Sequence, residues 1–461
     1  MAHDSHASSN AKTGHAKALP RDLGAPAFVG AWKSRALIVS ALFAILTVIL
    51  AFLGQAQDQL GWDHFLRAWV MGLMLTFGWC VGGLALLMVQ YCSGGKWGLL
   101  LRRPLEAMSR TLPLVFIYWL VPVIYVKKLY LWAQFPTDAS TADALKNGII
   151  NEAQKHCIDF KRGMLNPEMF TIVGIICFGI WALYTWRLNR MAVQRDAQGP
   201  ETTPYWIKKF ENFAGPGIVV YALTMSAAVI YWVMSMDVTW FSSVYGLLFL
   251  VGQGYSVLAF SIIVSIALSK AEPFKTIMRQ TEQHDLGKLT FAFVMLNIYL
   301  AFSQFLIIWS GNLPEEIPWY LDRIRGHWGI VITLDFMFHW LIPFTLLLSR
   351  DIKRNKKRLT RVCQWMIFAK AFDLFWLIEP NFKDAARNLH FSWGILEYAT
   401  LPVATPICTL CEVGPLVVVS LNMSEEGDGA KLVGTASVLA TAILPKAIGW
   451  LDTSSAIRPL V

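Results

Sequence analysis

Ten stretches of about 20 residues are apolar enough to cross a lipid bilayer, and no other feature constrains the chain as tightly. They cover residues 36–54, 67–92, 112–134, 169–188, 215–236, 243–268, 289–311, 328–349, 362–379 and 398–421. Backbone amides in hydrocarbon must find partners within their own segment, so each stretch is expected to be a helix. A further run, 432–450, is rich in small residues and contains Pro445 and Lys446; it is left outside the count. Charged residues make up 15% of the chain, against about 25% in a soluble domain. That scarcity excludes a disordered chain and an ordinary soluble enzyme. The net charge of +9 then speaks to loop orientation rather than to nucleic acid, which is not an expected partner.

The connections test the spans independently, because Lys and Arg collect on the cytoplasmic side of short loops. Before the first span stand Lys12, Lys17, Arg21, Lys33 and Arg35. The second connection has Lys96, Arg102, Arg103 and Arg110, the fourth Arg187, Arg190, Arg195, Lys208 and Lys209, and the sixth Lys270, Lys275, Arg279 and Lys288. The eighth runs from Arg350 to Arg361 with seven basic residues. Between them, 55–66 carries Asp58 and Asp63, and 312–327 carries Glu315, Glu316 and Asp322. Every second connection is basic. This pattern predicts an all-α polytopic protein of about ten spans, with both termini cytoplasmic. The expected parts are a tail (1–35), a first helix and loop (36–66), two four-helix bundles (67–236 and 243–379), a tenth helix (398–421) and a C-terminal tail or interfacial segment (422–461). The long connection 135–168 is expected to be the main external feature. Trp62, Trp69, Trp132, Trp240, Trp319, Trp328 and Trp393 fall near expected external ends, and Trp97, Trp186 and Trp206 near internal ones, where interfacial anchoring is the expected role.

A charged side chain at the centre of a membrane helix costs about 2.5–3.5 kcal/mol on insertion scales, so those that persist mark candidate sites. Span eight holds Asp335 and His339, one turn apart on one face. Span nine holds Lys370 and Asp373, at i and i+3, and closes with Glu379 before Pro380. If these spans are antiparallel neighbours, the five groups stack into a column across the bilayer. One reading is a proton or ion pathway, since carboxylates and imidazoles can hand protons along. The other is structural: Lys370 neutralises Asp373, and Asp335 fixes the His339 ring. Glu412 in span ten is a further candidate. Asp237, at the end of span five, either caps the short connection that follows or contacts a quinone headgroup.

The seven cysteines are odd in number and lie mostly in apolar runs, so a disulfide framework is not expected. The Cys408-Thr-Leu-Cys411 pair has no second pair for a metal. A bis-histidine haem needs two axial histidines at depth, and only His339 lies well inside a span. No cofactor bound by this chain is expected.

Three features then converge: the ten-span plan with its long connection after span three, the corner Met-Ser-Met-Asp237-Val-Thr-Trp240, and the segment from Trp319 through Arg323 to Trp328. Together, over about residues 30–425, they resemble the polysulfide-reductase membrane-subunit (NrfD-like) family, in the branch found in alternative complex III. The resemblance implies a subunit of a quinol-oxidising respiratory complex. Its implied partners are a sister quinol-binding membrane subunit, periplasmic haem c and iron–sulfur subunits, lipid and a terminal oxidase, with menaquinol or ubiquinol in the complex. The family's quinol site uses a histidine and aspartates near the outer face. Here Asp237 occupies a comparable corner, but spans two to five contain no histidine. What the resemblance leaves for this chain is scaffolding and a proton route in the second bundle. Two alternatives stay open: a secondary transporter with its charged site at the midplane, and an inert anchor.

Overall fold

Local signals set the helix boundaries. Asn166 accepts a hydrogen bond from the Met169 amide at 2.7 Å, and Pro167 occupies the first helical position. Asn151 with Gln154, and Thr137 with Ser140, form reciprocal capping boxes. Asn312, in the left-handed region at φ 48°, ends a helix of 32 residues. The computed structural model describes residues 59–382 except 96, 199–201, 271–273 and 327, together with the isolated positions 38, 49 and 52. Runs 398–421 and 432–450, and with them Glu412 and the Cys408–Cys411 pair, lie outside the described residues, as does run 36–54 apart from those three positions.

Every regular element among the described residues is helical. The main ones are α1 (Gln59–Ser93), α2 (Trp97–Ser109), α3 (Leu112–Ile124), α4 (Asp138–Lys146), α5 (Glu152–Lys161), α6 (Pro167–Asp196), α7 (Thr203–Trp232), α8 (Tyr245–Leu268), α9 (Gln280–Gly311), α10 (Ile317–Ile324), α11 (Trp328–Leu348), α12 (Arg350–Arg354) and α13 (Lys356–Ile378). Six of them (α1, α6, α7, α8, α9 and α11) are long and apolar enough to cross a membrane, or seven spans if the bent pair α2–α3 counts as one. The chain is thus built as a multi-pass helical membrane protein. Three expectations change. The second connection is not a loop: α2 forms there, burying Leu100, Leu101, Leu105 and Met108, and meets α3 at a 46° bend. The third run does not continue as one helix to 134; it breaks at Tyr125 into short turns ending at Gln134. The ninth run is helical as α13, but its charges keep it out of the apolar set.

Two helices form the centre. The apolar window of α1 is 94% buried and that of α8 is 72% buried, against 22% for α9 and for α11. In the N-terminal half, α1 packs on α3 and α7, α3 on α6, and α6 on α7. In the C-terminal half, α8 packs on α9 and α13, and α11 lies between α9 and α13. The halves join where α8 meets α1 and α7 and where α13 meets α1. The N-terminal half closes around Phe77, Trp119, Phe170, Phe178, Trp181 and Trp232. Trp232 lies 5.1 Å from Phe77, 5.8 Å from Trp119 and 6.2 Å from Trp181 between ring centroids, the range of favourable aromatic contacts. Several tryptophans expected at the interface are instead interior. Trp132, Trp206, Trp240, Trp319 and Trp328 are buried, whereas Trp186 is exposed.

Prolines inside helices leave the carbonyl four residues earlier without its usual donor, and in lipid that donor must come from protein. Three such carbonyls are met by side chains of other helices. Pro122 frees the Tyr118 carbonyl, which accepts from Trp69 Nε1 at 3.1 Å. Pro104 frees the Leu100 carbonyl, which accepts from Ser265 Oγ at 3.1 Å. Pro343 frees the His339 carbonyl, which accepts from the Tyr255 hydroxyl at 3.2 Å.

The connection 135–168 is compact, with α4 packed on α5. Arg162 pairs with Asp138 and Asp159, and Lys161 donates to the Val238 carbonyl at 2.7 Å, tying the connection to the corner after α7.

Candidate functional site

The interior of α11 is not α-helical. Phe336–Leu341 forms a π turn, in which the Ile342 amide bonds the Met337 carbonyl. The Phe338 carbonyl thereby loses its α-helical donor, and Trp365 Nε1 of α13 supplies one at 3.0 Å. With Tyr255 on the His339 carbonyl, α8 and α13 both pin the turn that carries His339. The Tyr255 ring also meets the imidazole edge-on, with centroids 4.7 Å apart. Such turns recur at functional positions in membrane and soluble helices alike. His339 is eleven residues from the start of the helix, about 16 Å along it, near its middle.

α11 and α13 are neighbours, as the column requires. Lys370 Nζ donates to Asp373 Oδ2 at 2.6 Å, and His339 Nδ1 lies 3.6 Å from Asp373 Oδ1. Asp335 completes the group: one donor atom each from Asp335, His339 and Asp373 falls within 4.8 Å of the others. His339, Lys370 and Asp373 are 7%, 6% and 8% exposed. Lys370 fits because residue 252 is glycine; a Cβ there would stand 2.7 Å from the ammonium nitrogen. The ammonium also lies 5.7 Å from the centre of the Phe249 ring.

Two atoms of the group are unsatisfied. Asp335 Oδ1 and His339 Nε2 are out of contact with solvent and have no hydrogen-bond partner among the described residues. The same three donors suit a small cation in chemical type, but metal bonds of about 2.0–2.2 Å would require them to close up. As it stands, the cluster is a network of two carboxylates, one imidazole and one ammonium.

The other candidates lie elsewhere. Glu379 does not cap the column through this network; it pairs with Arg67 of α1 at 3.1 Å. Asp237 accepts from the amide and the hydroxyl of Thr239 at 3.1 and 2.7 Å, the capping role for the corner. That corner and the segment opening with Trp319 pack on each other, with Trp240 and Trp319 stacked at 4.3 Å. Beside them Arg323 is fully enclosed. Its guanidinium lies 3.7 Å from the Trp319 ring centre and donates to the carbonyls of Trp319 and Leu377 and to Asn381 Oδ1. Burial pulls the pKa of Arg323 down to about 10, with Tyr245, Asp237 and Asp322 acting in the opposite sense; it remains a cation at neutral pH.

Sequence reasoning did not find Tyr255, Trp365 or Gly252. Pro343 was the available signal for Tyr255, since it marks the His339 carbonyl as one needing a foreign donor. Nothing in the sequence singles out Gly252 from the other glycines. No protein-family model matches the chain, and no curated protein matches it.

Proposed function

We propose that the chain is a haem-free integral-membrane subunit of a quinol-oxidising respiratory complex of the polysulfide-reductase membrane-subunit type. In this reading about ten helices cross a bacterial inner membrane with both termini in the cytoplasm. They form two four-helix bundles flanked by the first and tenth helices. The first bundle is scaffolding for periplasmic haem c and iron–sulfur subunits and for a sister subunit that binds the quinol. The second conducts protons through Asp335, His339, Lys370 and Asp373.

The observation that carries the proton reading is the pairing of Asp373 with Lys370 and His339 at mid-helix, beside two unpartnered atoms. His339 is suited to receive a proton on one nitrogen and release it from the other. Lys370 pairs with one oxygen of Asp373, and the other oxygen faces the imidazole. The Asp335 carboxylate is the second acceptor within reach.

The test is proton coupling in reconstituted vesicles. Asp335→Asn and His339→Leu should leave assembly intact while lowering proton movement per electron. Full coupling in both variants would reduce the cluster to a structural ion pair. A second reading, a secondary transporter, draws on the interrupted helix at Phe336–Leu341, because transporters bind at broken helices near the midplane. Isolation in mild detergent separates the two: the respiratory reading requires co-purified proteins with haem spectra, and a transporter is isolated without them.

A further inference from the structure

We propose that Arg102 and Arg195, where α2 meets the end of α6, hold the phosphate of an anionic phospholipid headgroup. The inference does not depend on the proton reading. It begins from a buried polar knot in which the carboxylates are used up and one cation is left over. Glu106 is wholly enclosed. One of its oxygens accepts from the Tyr91 hydroxyl at 3.1 Å and the other from Arg103 at 2.9 Å. Asp196 accepts from Arg103 at 2.6 Å on one oxygen and from Arg195 at 2.9 Å on the other. All four carboxylate oxygens therefore have donors, and three guanidiniums face two carboxylates.

Among the described residues Arg102 is the one of the three with no hydrogen-bond acceptor. It is half-buried, and its Nε is out of contact with solvent. Arg195 and Arg103 are close enough to repel it, and Glu106, whose oxygens are already taken, is close enough to attract it. A guanidinium in that position is stabilised by an anion presenting several oxygens, and a phosphate matches its fork.

The surroundings select a lipid as the source. The knot sits at the ends of α1 and α6 and the start of α7, three long apolar helices. Positive charge continues along it. Arg195 lies 5.4 Å from the Phe210 ring centre, Phe210 neighbours Trp206, and Lys209 lies 4.5 Å from the Trp206 ring centre. Tyr205, whose ring centre lies 5.1 Å from Lys209 Nζ, is 59% exposed, and Leu99 and Ile207, within three residues of Arg102 and Lys209 in sequence, are 49% and 52% exposed. A cationic strip beside bare apolar side chains fits a headgroup with its acyl chains attached. A free phosphate would use only the strip.

Native mass spectrometry of the purified full-length protein tests this, with phosphatidylglycerol, phosphatidylcholine and inorganic phosphate as probes. The wild-type chain should retain phosphatidylglycerol in preference to phosphatidylcholine, and inorganic phosphate at the same concentration should not displace it. Arg102→Gln should weaken phosphatidylglycerol retention about fivefold, as expected for loss of one interfacial cation. Equal retention of the two lipids by the wild type, displacement by inorganic phosphate, or undiminished retention in Arg102→Gln would each overturn the proposal. The wild-type headgroup comparison needs no variant, so it decides even if Arg102→Gln folds poorly.

Discussion

The two halves of the molecule fill their centres with opposite chemistry. In the N-terminal half, rings of Phe77, Trp119, Phe178, Trp181 and Trp232 close on one another. In the C-terminal half, Asp335, His339, Lys370 and Asp373 meet in the comparable place between helices. The aromatic core carries no charge: Trp181 Nε1 donates to the Thr224 hydroxyl at 2.9 Å, and Nε1 of Trp119 and of Trp232 has no partner among the described residues. An ionic core is complete only when every charge and every hydrogen-bonding atom is matched, and here Asp335 Oδ1 and His339 Nε2 are not. The first half is therefore neutral at its centre, and the second is titratable there.

The largest expected effect is at Lys370. Replacing it with Met leaves Asp373 and Asp335 facing each other without a cation. Removing one partner of a buried pair costs about 3–5 kcal/mol, so thermal unfolding in detergent should shift strongly downward. Lys370→Met combined with Asp373→Asn should recover most of the loss. A single-variant loss below about 1 kcal/mol would mean that water or lipid headgroups already reach the pair, and the contrast between the halves would fall.

Two glycine substitutions sharpen the comparison. A Cβ at residue 174 would stand 2.1 Å from the Trp119 ring, and a locked aromatic wall cannot yield, so Gly174→Ala should cost about 1–3 kcal/mol. At residue 252 the obstacle is the tip of Lys370, which can swing. Gly252→Ala should therefore lower melting temperature less than Gly174→Ala while disturbing proton coupling more.

Tyr255→Phe comes next, at about 1 kcal/mol for a carbonyl left short of a donor. Ser265→Ala, which strips the Leu100 carbonyl in the same way, should cost a similar amount. Only Tyr255→Phe should alter proton coupling, because only that carbonyl belongs to the turn carrying His339. Equal coupling in both variants would detach the π turn from function. The smallest effect belongs to Glu379→Gln. The Arg67–Glu379 pair is partly solvated, so its loss should cost at most about 1 kcal/mol and should fade as salt is raised.

Much of this site was legible before any coordinates. The spacing of Asp335 and His339, and of Lys370 and Asp373, shows which groups share a helix face, and placing the two spans side by side stacks them in one column. The same stacking makes Glu379 a fifth member. It departs because it sits in the turn following α13, where rotation about the helix axis aims it at Arg67 of α1. The basic segment around Arg102 and Arg103 read as a loop by its charge alone. Its leucines, spaced to bury one face, outweighed that signal and formed α2. The tryptophans read as interfacial anchors for a related reason: position along a span says how deep a residue lies, not which way it faces.

The sequence by itself determined that the chain is helical and built for lipid, because twenty apolar residues in a row admit no other way to satisfy their backbone. It also determined where helices would be weakened, since a proline removes a hydrogen-bond donor whatever surrounds it. The tertiary structure decided which side chains repair those gaps, that α11 relaxes into a π turn around His339, and that Lys370 finds room against Gly252. These depend on how each helix is rotated and packed against neighbours far away in the chain, and no local pattern encodes that rotation.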